Sequence, residues 1–312
     1  MKIIGIEGSF RTEMGWIFPS HPDFELVGLE TAKNIKDADA YIQTNVLGHF
    51  KKNYKEQHDF IASTGKPRIV IEQAPFRKNQ DFDNPNTYYY KVGLNHFTYD
   101  EGIFKNENSP SDRWEKISKE LDIQIKPWQN KQYDNSQYIL ILVQNPIDTS
   151  LNSLVSKIRY EDWLKQLIKD IRKITDKKIK VRLHPRFQDR FTKWNFFDKI
   201  ENVELSNNLD GWNKSNGGQG LYEDFKNTYC CITYSSNAAT EAICEGIPVV
   251  NLHKSSFSWP VSYHNLDILN KDKIECDFDR TQWLYDCAYT QWTLEEINSG
   301  IVHERLLNDN NS

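Results

Sequence analysis

Short apolar runs alternate with segments of helical periodicity along most of the chain. In the N-terminal part, this pattern predicts buried strands at residues 3–6, 24–29, 38–42 and 68–71. It also predicts a helix at residues 51–63. Parallel strands need long crossover connections, which are usually helices. The alternation therefore favours a parallel sheet with helices packed on its faces.

Polar segments that contain proline interrupt this alternation at residues 79–86 and 126–137. Beyond them the pattern resumes, with strands predicted at 138–143, 179–183, 203–205, 229–234 and 247–252 and helices at 160–171 and 237–245. We therefore predict an α/β protein with two Rossmann-like parallel-sheet domains and a cleft between them.

The domain boundary is expected in the second polar segment. We predict an N-terminal domain at 1–130 and a C-terminal domain at 131–280. The remaining residues, 281–312, have the pattern of two helices that are split near Thr293. Trp and Leu side chains give these helices an apolar face, so we expect them to pack back on the N-terminal domain.

Composition narrows the class of protein. Hydrophobic residues make up 38% of the chain and charged residues 27%, which is typical of a folded globular protein. The net charge of -5 argues mildly against nucleic acid as the default partner, although a local basic groove remains compatible with it. The sequence has no 18-residue apolar run and no signal-peptide pattern, so we expect a cytoplasmic protein without a transmembrane segment. No pattern indicates an oligomeric state.

The cysteine pattern points away from a metal site and from a disulfide framework. The five cysteines are odd in number, and no Cys or His cluster has the spacing of a zinc site. We expect reduced cysteines in the core of an intracellular protein. No Asp-x-Asp occurs in a suitable place, so we predict no metal at the active site.

A pair of serines lies where a predicted strand ends and a helix begins. Backbone amides at such a helix start, together with the hydroxyls of Ser235 and Ser236 and the side chain of Asn237, are typical of a phosphate-binding site. Glu241, about one and a half turns into the helix, is placed to accept hydrogen bonds from two ribose hydroxyls. The alternative is an ordinary capped helix, with Ser236 or Asn237 as the cap.

A histidine follows another strand of the same predicted sheet. His184 is flanked by Arg182 and Arg186, and Pro185 ends the strand. Open α/β sheets bind ligands at the carboxyl ends of their strands, so we expect His184 and the serine pair at one edge. An imidazole beside two arginines suits a phosphodiester or a diphosphate; a structural histidine is the alternative.

Carboxylates follow strands in the N-terminal half. Glu72 ends the strand at 68–71 and precedes a proline-containing loop, where it could act as a general base towards a hydroxyl. An ion pair with Arg77 or Lys78 is the alternative for Glu72. Glu7 and Glu13 border a loop with two glycines after the first strand and are further base candidates.

The motifs Arg-Leu-His184-Pro185 and Tyr-Ser235-Ser236 resemble those of bacterial GT-B glycosyltransferases that use CMP-activated sugars. These enzymes are sialyltransferases and the Kdo transferases of capsule synthesis, and the resemblance covers about residues 68–260. It implies a GT-B-like fold in which the His and the Ser pair hold the nucleotide phosphate. It also implies that Glu72 is the catalytic base, although the family's second acid and its glycine are replaced here by Gln73 and Ala74.

Together these features predict a metal-independent, inverting glycosyltransferase without a cofactor. Its donor would be a CMP- or UDP-linked nucleotide sugar bound by the C-terminal domain, and its acceptor a glycan hydroxyl presented by the N-terminal domain. The alternatives are a phage-type DNA glycosyltransferase acting on hydroxymethylated bases, a nucleotide-sugar 2-epimerase, and a non-catalytic protein that binds nucleotide sugars.

Overall fold

A computed structural model describes residues 1–10, 16–44, 52–78, 88–184, 196–197, 200–208 and 219–308. The chain divides into two compact units. The first consists of Met1–Trp114 together with Leu284–Ser312, and the second of Glu115–Trp283.

The first unit is built on a six-stranded sheet. Its strands are β1 (Ile3–Ile6), β2 (Phe24–Val27), β3 (Ala40–Thr44), β4 (Arg68–Gln73), β5 (Tyr89–Leu94) and, from the end of the chain, β11 (Gln291–Thr293). Its helices before that last strand include α1 (Leu29–Asn34) and α2 (Lys52–Ser63), and α3 (Asp112–Glu120) spans the boundary to the second unit.

The strand order in this sheet is β11-β5-β4-β3-β1-β2. Strands β1 to β4 run parallel, as the alternation of strands and helices predicts, whereas β5 runs antiparallel to both β4 and β11. The sequence pattern did not predict β5. Its Lys91 is buried, with the Nζ atom 5.3 Å from the centre of the Phe97 ring. A buried lysine interrupts the apolar run by which a central strand is recognised.

The second unit contains a five-stranded sheet in which every pairing is parallel. Its strands are β6 (Tyr138–Leu142), β7 (Ile179–Arg182), β8 (Val203–Leu205), β9 (Thr228–Thr233) and β10 (Val249–Asn251), in the order β10-β9-β6-β7-β8. All residues of β6 and β9 are buried, which explains their continuous apolar pattern.

Helices cover this sheet and connect its strands. They are α4 (Asn152–Val155), α5 (Tyr160–Ile174), α6 (Gln219–Phe225) and α7 (Ala238–Cys244). On α5 the buried residues Leu164, Leu167, Ile168 and Ile171 recur at helical spacing and join the core formed by β6, β7 and β9. Within the part of the chain that the structure describes, no helix is long and apolar enough to cross a membrane.

The end of the chain returns to the first unit. It forms α8 (Thr281–Ala288), β11, α9 (Leu294–Asn298) and α10 (Ile301–Leu307), rather than the two helices that the sequence pattern predicts. Thr293 ends β11 and caps α9 in a reciprocal capping box with Glu296. The predicted break between the two helices therefore coincides with the start of α9. Leu294, Ile297 and Val302 share one apolar core with the strands of the first sheet.

Candidate functional site

Polar side chains follow three adjacent strands of the second sheet at the same level. Leu142 of β6 pairs with Arg182 of β7, so Gln144 and His184 each lie two residues beyond that pair. Ile141 of β6 pairs with Ile232 of β9, which places Ser235 level with Gln144. Neighbouring strands are about 4.8 Å apart, so the His184 and Ser235 backbones are separated by about 10 Å, with Gln144 between them.

Gln144 holds Ser235 in place. The Ser235 backbone amide donates to Gln144 Oε1 at 2.9 Å, and Gln144 Nε2 lies 3.3 Å from the Ser235 hydroxyl oxygen. Gln144 Nε2 also donates to Ser150 Oγ at 2.9 Å, and Asp148 accepts the Ser150 hydroxyl at 2.9 Å. Because Gln144 and Ser235 are both buried, this network fixes the hydroxyl of Ser235 at the sheet edge.

Sequence reasoning missed Gln144. It lies in a Gln-Asn-Pro segment that has the composition of an ordinary loop. Its position is the signal that could have identified it. Gln144 lies two residues after the end of β6, just as His184 lies two residues after the end of β7. Polar residues that follow the ends of neighbouring parallel strands by the same number of positions lie at one edge of the sheet.

Ser236 performs a capping role at the start of α7. Its hydroxyl oxygen accepts the Ala238 amide at 3.3 Å, while its own amide donates to Thr233 Oγ1 at 3.2 Å. By its place in the backbone, Asn237 is the N-cap residue of α7. A hydroxyl has one proton and two lone pairs, so Ser236 can cap the helix and still donate to an anion.

Glu241 is engaged by a tyrosine. Tyr222 Oη donates to Glu241 Oε2 at 3.0 Å. Burial raises the pKa of the Tyr222 phenol far above its ordinary value, and the Glu241 carboxylate raises it further. The phenol therefore remains a hydrogen-bond donor, and a ribose hydroxyl at Glu241 would share this carboxylate with Tyr222.

Arg182 lies in a buried network below the sheet edge. Its Nη1 donates to Asp224 Oδ2 at 2.7 Å and to the Gly220 carbonyl oxygen at 3.2 Å. Asp224 is fully buried and also accepts the hydroxyl of Ser206 at 2.6 Å and the side-chain amide of Asn208 at 2.8 Å. These contacts describe a role in holding β7, β8 and α6 together. Contact of Arg182 with a ligand stays a prediction, and Arg186 lies outside the described residues.

The candidate bases of the first unit have different surroundings. Glu72 is the penultimate residue of β4, is half-buried, and accepts the Gln73 amide at 2.8 Å through Oε1. In the β4–β5 ladder its partner is Lys91, and Arg77 Nη1 donates to Gln73 Oε1 at 2.5 Å. Glu7 is exposed just beyond β1, and Glu13 lies outside the described residues.

A buried polar pair accompanies these carboxylates at the carboxyl edge of the first sheet. His58 Nδ1 on α2 lies 3.0 Å from Gln43 Oε1 on β3, and both side chains are buried. The adjacent Gln57 donates to the Glu7 carbonyl oxygen at 2.6 Å. Sequence reasoning did not single out either residue. His58 lies within the predicted helix, Gln43 directly follows the predicted strand at 38–42, and the two are 15 positions apart.

The fold is similar to that of two solved structures from Thermosulfurimonas dismutans. One is described as KpsC, beta Kdo 2,4 transferase, with a TM-score of 0.51 and 10% identity over 96% of this chain and 97% of that one. The other is described as KpsC, beta Kdo 2,7 transferase, with a TM-score of 0.51 and 11% identity over 97% of this chain and 99% of that one. A UDP-GlcNAc 2-epimerase from Methanocaldococcus jannaschii aligns with a TM-score of 0.36 at 13% identity, covering 100% of this chain and 94% of that one.

No protein-family model matches the sequence, and no curated protein matches it either. The similarity at 10–11% identity therefore concerns the fold. It confirms the predicted class, an α/β protein with two parallel-sheet regions of the GT-B-like kind.

Proposed function

We propose that this chain is a metal-independent, inverting glycosyltransferase that takes its sugar from a nucleotide sugar. The observation that carries the proposal is the row formed by His184, Gln144 and Ser235 at the carboxyl edge of three adjacent parallel strands. Ligands of open α/β sheets bind at this edge. The fold shared with two Kdo transferases supports a donor of the nucleotide-sugar class.

In this proposal the donor phosphate binds along the row. Ser235 and Ser236 donate their hydroxyl protons to phosphate oxygens, and His184 donates from its ring nitrogen. Gln144 acts through Ser235, because it holds the amide of that residue in a buried network. When the glycosidic bond to the nucleotide breaks, negative charge develops on the leaving phosphate, and fixed donors stabilise that charge without reorganisation.

Glu72 is proposed as the general base that accepts the proton of the acceptor hydroxyl. The bond from the Gln73 amide to Glu72 Oε1 orients the carboxylate at the end of β4. The electron pair of the hydroxyl then forms the new bond to the anomeric carbon, and the nucleotide departs with the pair of the broken bond. A single displacement of this kind inverts the anomeric configuration.

The test is nucleotide release from a panel of CMP- and UDP-linked sugars, with and without glycan acceptors. The proposal predicts release that depends on the acceptor, survives EDTA, and gives a product of inverted configuration by NMR. Glu72→Gln keeps the shape of the side chain but removes the base, so it should abolish transfer and spare donor binding. The exposed carboxylate of Glu30 provides the control, and Glu30→Gln should behave as the wild type.

Two outcomes would contradict the proposal. Conversion of the donor sugar without any acceptor would assign the chain as an epimerase, and donor binding without turnover would assign it as a binding protein. If the sugar is transferred to hydroxymethylated DNA and to no glycan, the assignment as a glycosyltransferase stands and the acceptor is DNA. Normal turnover of Glu72→Gln would remove Glu72 as the base while leaving the donor assignment in place.

A further inference from the structure

Three metal-binding side chains from the two ends of the chain meet in the first unit. His21 and Asp23 precede β2, and His303 lies on α10, which is 280 positions from Asp23. His303 Nε2 lies 3.0 Å from Asp23 Oδ2, and His21 Nδ1 lies 3.8 Å from the same oxygen. One ligand atom from each of the three side chains lies within 4.8 Å of the other two.

The spacing of these atoms suits a small cation. Zinc bonds of about 2.1 Å to nitrogen and oxygen place tetrahedral ligand atoms about 3.4 Å apart. The separations of 3.0 and 3.8 Å to Asp23 Oδ2 bracket this value. His21 Nδ1 also accepts the Asp23 backbone amide at 3.1 Å, so a metal ion at this atom would replace that hydrogen bond. The two imidazoles make this ligand set suit zinc and its first-row neighbours rather than calcium or magnesium, which prefer oxygen ligands alone.

The surrounding backbone leaves room for the two rings. Gly300, the N-cap of α10, has a φ of 91°, and a Cβ atom there would lie 2.9 Å from His21 Nε2 and 3.4 Å from His303 Cε1. The two rings lie edge to face, with centroids 4.9 Å apart. A side chain at position 300 would therefore force the rings out of their present positions.

The remaining contacts of His303 and Asp23 leave their facing atoms, Nε2 and Oδ2, directed at each other. His303 is almost fully buried, and its Nδ1 atom has no hydrogen-bond partner within the described part of the chain. The Met1 amino group donates to Asp23 Oδ1 at 3.2 Å, which leaves Oδ2 facing the histidines.

We propose that His21, Asp23 and His303 form a binding site for a divalent transition-metal ion, with zinc as the preferred occupant and water as the fourth ligand. The ion would join the segment before β2 to α10 and so fix the end of the chain to the first sheet. This proposal does not rest on the proposed function, because none of the three residues has a part in donor or acceptor chemistry. Sequence spacing could not reveal the site, because His303 is 280 positions from Asp23.

Zinc binding to the full chain tests the proposal directly. Protein stripped with EDTA and dialysed free of chelator is titrated with zinc chloride by calorimetry, and bound zinc is counted by mass spectrometry. Asp23→Asn and His21→Ala remove one ligand each from partly exposed positions, and His264→Ala removes an exposed histidine of the second unit as the matched control. Thermal unfolding with and without zinc is recorded for all four proteins.

We expect one equivalent of zinc in the wild type and in His264→Ala, with a zinc-dependent rise in Tm. Loss of a direct ligand should weaken binding by more than the 10- to 100-fold, roughly, that outer-sphere partners of a metal contribute. Asp23→Asn and His21→Ala should therefore lose the equivalent and the Tm response. The proposal is overturned if the wild type binds no stoichiometric zinc, or if both variants bind it as tightly as the wild type.

Discussion

Replacing Gln144 with leucine removes the network that holds Ser235 while keeping the volume of the side chain. The substitution deletes the 2.9 Å bond from the Ser235 amide and the 2.9 Å bond to Ser150 Oγ. Loss of the bond to Ser150 costs about 1 kcal/mol, and loss of the bond to Ser235, which leaves a buried amide without its acceptor, costs about 1–3 kcal/mol. We expect the free energy of unfolding to fall by about 2–4 kcal/mol, which is a large part of a typical total of about 5–15 kcal/mol.

The assay is urea unfolding followed by circular dichroism, with donor affinity measured on the same samples. Each loss of about 1.4 kcal/mol in donor binding weakens affinity tenfold, so displacement of Ser235 should raise the donor Kd by about one decade. Gln166→Leu is the control, because Gln166 is an exposed glutamine on α5 that bonds only to Asp170 among the described residues. An unfolding midpoint and a donor Kd for Gln144→Leu that match the control would refute the reasoning.

Three further predictions concern the second unit. Arg182→Met removes the 2.7 Å ion pair of the buried Asp224 carboxylate and leaves Lys180, at 3.8 Å, as its remaining cation among the described residues, so the free energy of unfolding should fall by less than the roughly 3–5 kcal/mol that is lost when a buried charge keeps no partner. Urea unfolding measures this loss, and Arg182→Met combined with Asp224→Leu should recover part of it. Gly246→Ala should lower the unfolding midpoint, because φ is 77° there and a Cβ atom would collide with the Pro127 carbonyl oxygen; a midpoint equal to that of the wild type would contradict this. Burial raises the pKa of Cys230 above its ordinary value, so its thiol is protonated at pH 8 and should resist iodoacetamide until denaturant is added, as mass spectrometry can show.

Apolar runs predicted most of the strands, because buried parallel strands carry hydrophobic residues at nearly every position. The prediction at 3–6 matches β1, which is buried throughout. The prediction at 203–205 matches β8, although that strand is half-buried and has Glu204 at its centre. The antiparallel pair of β5 and β11 was missed for a physical reason. Its two strands are about 200 positions apart, and the buried Lys91 interrupts the apolar pattern of β5.

The candidate site was predictable where a motif coincides with the end of a strand. The placement of His184 and Ser235 at one edge of the sheet was predicted in that way and agrees with the strand register, whereas their role in binding stays a prediction. Gln144 was not predicted, because an amide in a loop carries no chemical signal until its partner is known. The engagement of Glu241 by Tyr222 and of Arg182 by Asp224 likewise depends on side-chain packing between segments 19 and 42 positions apart.

The central claim is that the donor phosphate binds at the row of His184, Gln144 and Ser235, and a crystal structure with CMP or UDP bound tests it most directly. We expect phosphate oxygens at about 2.7–3.2 Å from a His184 ring nitrogen and from the hydroxyl of Ser235 or Ser236. A nucleotide whose phosphates contact none of these three side chains would contradict it.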